Sequence, residues 1–258
     1  MKKISILFLL IPFITFGQKV GFKEYKSKEF EFEGRKAIIV FPNKANKKKN
    51  WIWRARFWGH EPQLDKALLD KGFHVVYVDV MHLFGNQQAV NLWNGFYDYC
   101  RENYKLSEKV VLEGMSRGGL IIYNWAAQNT DKVACIYGDA PVCDIKSWPG
   151  GLYSGIGSAG MWNHCKRAYG LNTDEDVKAY KEGPIYNAAI IAKAKIPVIH
   201  VYGAIDEVVP YKENTALVEK QFEKAGGKME VIRKEDVGHH PHCLEDPTPL
   251  VNFIMDAL

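Results

Sequence analysis

Residues 109–128 read KVVLEGMSRGGLIIYNWAAQ, and this stretch decides the fold. KVVLEG is a short apolar run rich in valine, and RGGLIIYNWAAQ is a helix-like run. They meet with no linker at a glycine-flanked serine, Ser116. Strand, tight turn and helix in immediate succession are what a nucleophile elbow requires. Gly114 and Gly118 let the turn lie against neighbouring strands, while the helix N-terminus lifts the serine toward solvent. The backbone N–H of Arg117 is then placed to receive a developing oxyanion.

Outward from this unit, further strand-like runs occur at 36–41, 51–57, 73–80, 133–140, 196–203 and 229–234. Most are continuously apolar, as in a sheet buried on both faces. Helical stretches fall around 61–71, 87–103, 117–128, 187–194, 212–225 and 248–257. The alternation predicts an α/β fold with a doubly wound, mostly parallel sheet, whose ligands sit at the carboxyl ends of the strands. Residues 141–186 break the rhythm: a Gly- and Trp-rich stretch, PVCDIKSWPGGLYSGIGSAGMWNHC, precedes a polar helical run. A segment of this kind reads as a cap or lid over the sheet, with Trp148, Tyr153 and Trp162 as wall or as miniature core. The lysine-rich KANKKK at 44–49 reads as a solvated hairpin or loop tip.

Two more segments complete a chemical set. GAIDEVVP (203–210) puts Asp206 three residues beyond a late strand, and VGHHPH (237–242) puts His239 before the final helix. Ser, Asp, His in that chain order is the order of an α/β-hydrolase triad. The expected roles are Ser116 as nucleophile, His239 as general base and Asp206 as the carboxylate that orients it. Glu207 and Asp139 compete for the acid's place, and His240 and His242 for the base's. The DxxVP wording favours Asp206, and the position directly after glycine favours His239.

Arg54 and Arg56 stand in WIWRARF, a run expected to be a central strand, where an unpaired charge costs several kcal/mol. A structural ion pair with Glu113 is one expectation. The other is that a guanidinium reaches the pocket and grips a carboxylate or sugar hydroxyls, which makes Arg54 and Arg56 candidate substrate-binding residues.

The totals are those of one large domain: 258 residues, 47% hydrophobic and 25% charged. The net charge of +4 falls to +2 without Lys2 and Lys3, so no nucleic-acid partner is expected. Residues 1–17 carry those two lysines, an apolar run from Ile4 to Phe16 and a small Gly17, a secretory signal pattern. The run is short for a membrane span and contains Pro12. The expectation is therefore a signal peptide over 1–17 and a hydrolase domain over 18–258. The mature protein is then exported, to the periplasm or beyond, without membrane insertion. The five cysteines are an odd number for an oxidising compartment. Cys143 and Cys165, flanking the Gly- and Trp-rich stretch, are candidates for a disulfide. HHPHC (239–243) lacks a helical i, i+4 ligand pair, so no metal site and no cofactor are expected.

The three motifs, WIWRARF and the segment YGDAPVCDIKSWPGG together resemble small secreted bacterial α/β-hydrolases of the esterase and prolyl-oligopeptidase-like group. The resemblance covers essentially the whole mature chain. It implies a second oxyanion N–H at the end of WIWRARF, near Arg56 or Phe57, although the usual His-Gly dipeptide is missing there. It also implies a serine esterase that deacylates a carbohydrate or another small ester. A small peptidase with the same triad order is the alternative enzyme. A non-catalytic carbohydrate- or ligand-binding protein on the same fold is the alternative from another class.

Overall fold

In the computed structural model, which describes residues 21–258, eight strands form one open sheet. They are β1 (Ser27–Phe32), β2 (Arg35–Val40), β3 (Trp51–Arg54), β4 (His74–Val78), β5 (Val110–Met115), β6 (Val133–Asp139), β7 (Val198–Gly203) and β8 (Glu230–Lys234). The order across the sheet is β1-β2-β4-β3-β5-β6-β7-β8. The β1/β2 and β2/β4 pairs are antiparallel, and every later pair is parallel. The expected leader, residues 1–17, lies outside the described residues.

Helices cover both faces, and for this reason the central strands are apolar without alternation. One face packs Ile39, Trp53, Leu112, Ile136 and Val198 beneath α2 (Gln87–Tyr104), α3 (Gly118–Gln128), α6 (Pro184–Lys193) and α7 (Thr215–Lys224). The other packs Ile38, Ile52, Val111, Tyr137 and Ile199 beneath α1 (Gln63–Asp70) and α8 (Thr248–Asp256). Adjacent residues thus enter opposite cores, as the period-two geometry of a strand demands. Stacked indoles of Trp53 and Trp93, with centroids 3.9 Å apart, fill the centre of the first core. Among the described residues no helix is long and apolar enough to cross a membrane.

The structure revises three local expectations and narrows a fourth. SKEFEF forms β1, which its charged, alternating composition hides; it is an edge strand with its charges in solvent. Of the two readings of KANKKK, hairpin and loop tip, the structure has the loop: it is an exposed crossover, since β4 lies between β2 and β3. The strand in WIWRARF ends at Arg54, and Phe57 already has a positive φ of 51°. Cys143 and Cys165 are free buried thiols in different clusters.

Residues 141–186 hold α4 (Ala159–Tyr169) and α5 (Asp174–Ala179), so MWNHC is helical where the sequence reads as irregular. The segment has its own apolar cluster, in which Val142, Ile145 and Cys165 pack with Leu120 and Val209. Polar ties fix it to the loop after β7. Glu213 accepts from Ser147 Oγ (2.7 Å) and Ser154 N (2.6 Å), and Glu207 O accepts from Ile156 N (3.0 Å).

Candidate active site

Ser116 is the first residue after β5 and is held at φ 50°, a left-handed conformation that costs a non-glycine residue about 1–2 kcal/mol. Its surroundings over-determine that turn. Ser116 N donates to Asp139 O on the neighbouring strand (2.8 Å), and Ser116 O accepts from Gly119 N and Val142 N, each at 2.9 Å. Glycine is required on both sides. A Cβ on Gly114 would collide with the Ile122 side chain, and one on Gly119 would lie 2.6 Å from Val142 O. The turn can therefore lean on α3 and on the segment after β6 only with this sequence.

The loop after β7 supplies Asp206, whose carboxylate accepts from Val208 N and Val209 N (2.8 Å each) and faces His239 Nδ1 at 2.7 Å. Burial opposes ionisation of this carboxyl. The His239 bond and the two N–H groups overcome that and hold it below the ordinary aspartate range. His239 Nε2 lies 3.0 Å from Ser116 Oγ, which closes a hydrogen-bonded chain from Ser116 through His239 to Asp206. The histidine loop can approach only because residue 203 is glycine: a Cβ there would run into the carbonyls of Val237 and Gly238. Glu207, the neighbouring acid, points to solvent.

Asp139 and His242, the other contenders, pair with one another. Asp139 ends β6, is 1% exposed and meets His242 Nδ1 at 2.9 Å; it also accepts from the Tyr137 hydroxyl and from Cys243 N. Burial pushes the Asp139 carboxyl up, but the His242 bond and its companions leave it below the usual value. Asp139 thus clasps the histidine loop from below. No local sequence signal marks this pairing, because 103 residues separate the two. His240 is exposed. The nitrogens of His239, His240 and His242 lie within 4.8 Å of one another, so these three are the residues that could hold a metal ion. Hydrogen bonds to Ser116, Asp206 and Asp139 already engage three of their ring nitrogens.

Arg54 is 1% exposed and turned into the protein, which removes it from the substrate-binding candidates. Its guanidinium bonds to Asp65 of α1, to Glu113 at 3.1 Å on the paired strand, and to the carbonyls of His60 and Phe57. Burial works against the cation, but Glu113 and Asp65 outweigh it and raise its pKa above the ordinary arginine value. With one cation between two buried carboxyls, burial drives the Glu113 pKa well up. Arg56 is also spoken for: it pairs with Asp79 at 3.1 Å and is 9% exposed. Neither arginine lines the cleft at Ser116.

That cleft, of about 530 Å³, is lined by Ser116, Arg117, Phe57, Trp58, Trp148 and Val208 and by four histidines, His60, His239, His240 and His242. Of the aromatic residues in the 141–186 segment, Trp148 faces it and Trp162 packs in the local cluster; Tyr153 instead donates to Asp144 (3.1 Å). Among the described residues the backbone N–H groups of Arg117 and Phe57 have no acceptor. Two free N–H groups beside a histidine-linked serine make an arrangement that can stabilise a tetrahedral oxyanion.

No curated protein matches the chain by sequence. Among solved structures the chain is similar to an acylaminoacyl peptidase from Pyrococcus horikoshii, with TM-score 0.64, 16% identity, and coverage of 86% of this chain and 38% of that one. A putative dipeptidyl aminopeptidase IV from Bacteroides ovatus gives TM-score 0.68 at 12% identity, covering 90% and 36%. A puromycin-hydrolyzing peptidase from Mycobacterium tuberculosis gives 0.67 at 13%, covering 89% and 38%. At these identities the likeness speaks for the fold, and the chain spans less than two fifths of each of those proteins. By sequence, residues 80–246 match the model of the prolyl oligopeptidase family. That span contains the Ser116 turn, the Asp206 loop and the histidine loop, and the chain belongs to the prolyl oligopeptidase family of serine hydrolases, with their α/β-hydrolase fold.

Proposed function

We propose that this serine hydrolase is a peptidase of short peptides, with Ser116 as nucleophile, His239 as general base and Asp206 as the group that orients the imidazole. The observation that carries the proposal is the unbroken chain from Ser116 Oγ to His239 Nε2 (3.0 Å) and from His239 Nδ1 to Asp206 (2.7 Å), opening on a cleft. Ser116 Oγ attacks the scissile carbonyl while His239 takes its proton. The N–H groups of Arg117 and Phe57 receive the oxyanion. His239 then protonates the departing amine, and water, activated by the same histidine, releases the acyl group from the serine. The family match and the similarity to peptidases of known structure favour peptides over the carbohydrate esters expected from the sequence. A cleft of about 530 Å³ suits a ligand of a few residues.

Ester deacylation of a carbohydrate stands as the second reading, favoured by the indoles of Trp58 and Trp148 in the cleft wall, since aromatic faces suit sugar rings. The same acyl-enzyme route serves both substrates. The test is hydrolysis of peptide p-nitroanilides, p-nitrophenyl acetate and acetylated oligosaccharides by wild type and Ser116→Ala, with circular dichroism on both. Peptide turnover that falls about 10³-fold or more in the variant supports the peptidase. Turnover of esters alone supports the second reading. A folded wild type that is inert and takes no fluorophosphonate on Ser116 supports a binding protein instead. Export after removal of residues 1–17 belongs to the same proposal, and the N-terminal sequence of protein recovered from the periplasm and medium tests it.

A further inference from the structure

Arg117 follows the nucleophile directly, and its guanidinium is the one cationic group of the cleft wall held in place without a carboxylate. Among the described residues its only hydrogen-bond partner is the Met161 sulfur, 3.6 Å from Nη1, a weak acceptor for a group with five N–H donors. The rings of Phe57 and Trp148 lie 5.3 and 5.4 Å from its central carbon. Both rings belong to the cleft wall, so the side chain is clamped by aromatic contact, and apart from the weak Met161 bond its N–H edge stays unused.

The charges around it point the same way. None of the residues lining the cleft is acidic, whereas Arg117, His60, His239, His240 and His242 all line it. No carboxylate pairs with Arg117 among the described residues: Asp79 is taken by Arg56 and the Tyr77 hydroxyl, and Asp206 by His239. Partial burial and the neighbouring Arg56 charge push the Arg117 pKa down, the sign of a cation that lacks a counter-ion. A half-buried guanidinium without a partner is costly, and a planar two-oxygen anion fits its fork best.

We infer that Arg117 is a substrate-recognition residue and that the substrate carries a carboxylate close to its scissile carbonyl. This rests on the serine-hydrolase reading of Ser116 given above. It moves the anion-gripping role from Arg54 and Arg56, whose guanidinium groups are engaged by Asp65, Glu113 and Asp79, to the arginine that follows Ser116. Two sources offer this chemistry, a peptide with a free carboxylate and a sugar acid.

The experiment compares two substrate pairs: an N-acetyl dipeptide with a free C-terminal carboxylate against its amide, and an acetylated uronic acid against the acetylated neutral hexose. Wild type is expected to favour the anionic member of one pair at least tenfold in kcat/KM. Arg117→Gln is expected to lower that ratio at least tenfold, with part of it restored in Arg117→Lys. Preference within the peptide pair assigns a peptide carboxylate, and within the sugar pair a uronate. Equal rates on both pairs, or a preference that survives Arg117→Gln, overturn the inference. A second measurement needs no variant and no turnover: protection of Ser116 from fluorophosphonate by N-acetylglycine against N-acetylglycinamide and by galacturonate against galactose. Protection at least tenfold stronger by one of the acids is expected, and equal protection within both pairs overturns the inference. If Ser116 of folded protein takes no label at all, the underlying hydrolase reading fails, and that outcome is distinct from failure of the Arg117 assignment.

Discussion

The molecule contains two histidine–carboxylate pairs whose rings are 4.8 Å apart, and they differ in what lies beyond the imidazole. His239–Asp206 and His242–Asp139 have similar Nδ1 to oxygen distances, 2.7 and 2.9 Å, and both carboxyls are held below their ordinary range despite burial. His239 Nε2 faces Ser116 Oγ at 3.0 Å. His242 Nε2 has no protein partner among the described residues. Asp206 sits on a loop and is steadied by backbone N–H groups. Asp139 ends a central strand and takes the Tyr137 hydroxyl and Cys243 N as well. A paired histidine and carboxylate are therefore no mark of catalysis by themselves; the third partner, Ser116 Oγ, is what separates the proposed general base from a clasp.

Replacing His239 by Gln breaks the first pair where the largest effect is expected, a loss of about 10⁴-fold or more in kcat with an unchanged circular dichroism spectrum. Asp206→Asn leaves the geometry but favours the wrong tautomer, with an expected loss of about 10⁴-fold at most. Steady-state kinetics on the best substrate measures both. In the second pair the expected damage is to stability: Asp139→Asn weakens the acceptor shared by His242 Nδ1, the Tyr137 hydroxyl and Cys243 N and should cost about 1–3 kcal/mol, read in urea unfolding. The sign with pH follows from the depressed carboxyl. Its stabilisation is full above the ordinary aspartate pKa and is lost as pH falls through the folded-state value, so the wild-type and Asn curves should converge in acid.

His200 sharpens the contrast, because it is buried with a tyrosine and a threonine in place of a carboxylate: Tyr123 Oη lies 2.8 Å from Nε2 and Thr215 Oγ1 3.0 Å from Nδ1. Burial lowers its pKa to about 3. The unfolded chain takes up a proton near pH 6.5 that the folded protein refuses, so stability falls as pH drops from there toward 3. The part lost by pH 5 is about 2 kcal/mol, and a His200→Gln variant should show a flatter acid limb.

Much of this was legible in the chain itself. KVVLEGMSRGG carries its own strand, turn and helix signals, so the serine turn could be read locally, and all seven apolar strand runs lie in the sheet. β1 was missed because SKEFEF has no apolar run of its own. The Arg54–Glu113 contact could be inferred from strand order. Asp65 could not, as it comes from a helix whose sequence does not reveal which face meets the sheet. The same limit hid the Asp139–His242 clasp and the aromatic clamp on Arg117. Each joins residues whose proximity is created by the crossovers between strands.

Asp139 also has a mechanical consequence. Its carbonyl oxygen holds Ser116 N, while its carboxylate holds His242 and the start of the chain beyond. Two segments more than a hundred residues apart are thus referenced to a single fixed point. A shift of the end of β6 then carries the serine turn and the histidine loop with it, which preserves the 3.0 Å approach of Ser116 Oγ to His239 Nε2. Alignment is kept by a shared datum, without either loop being rigid.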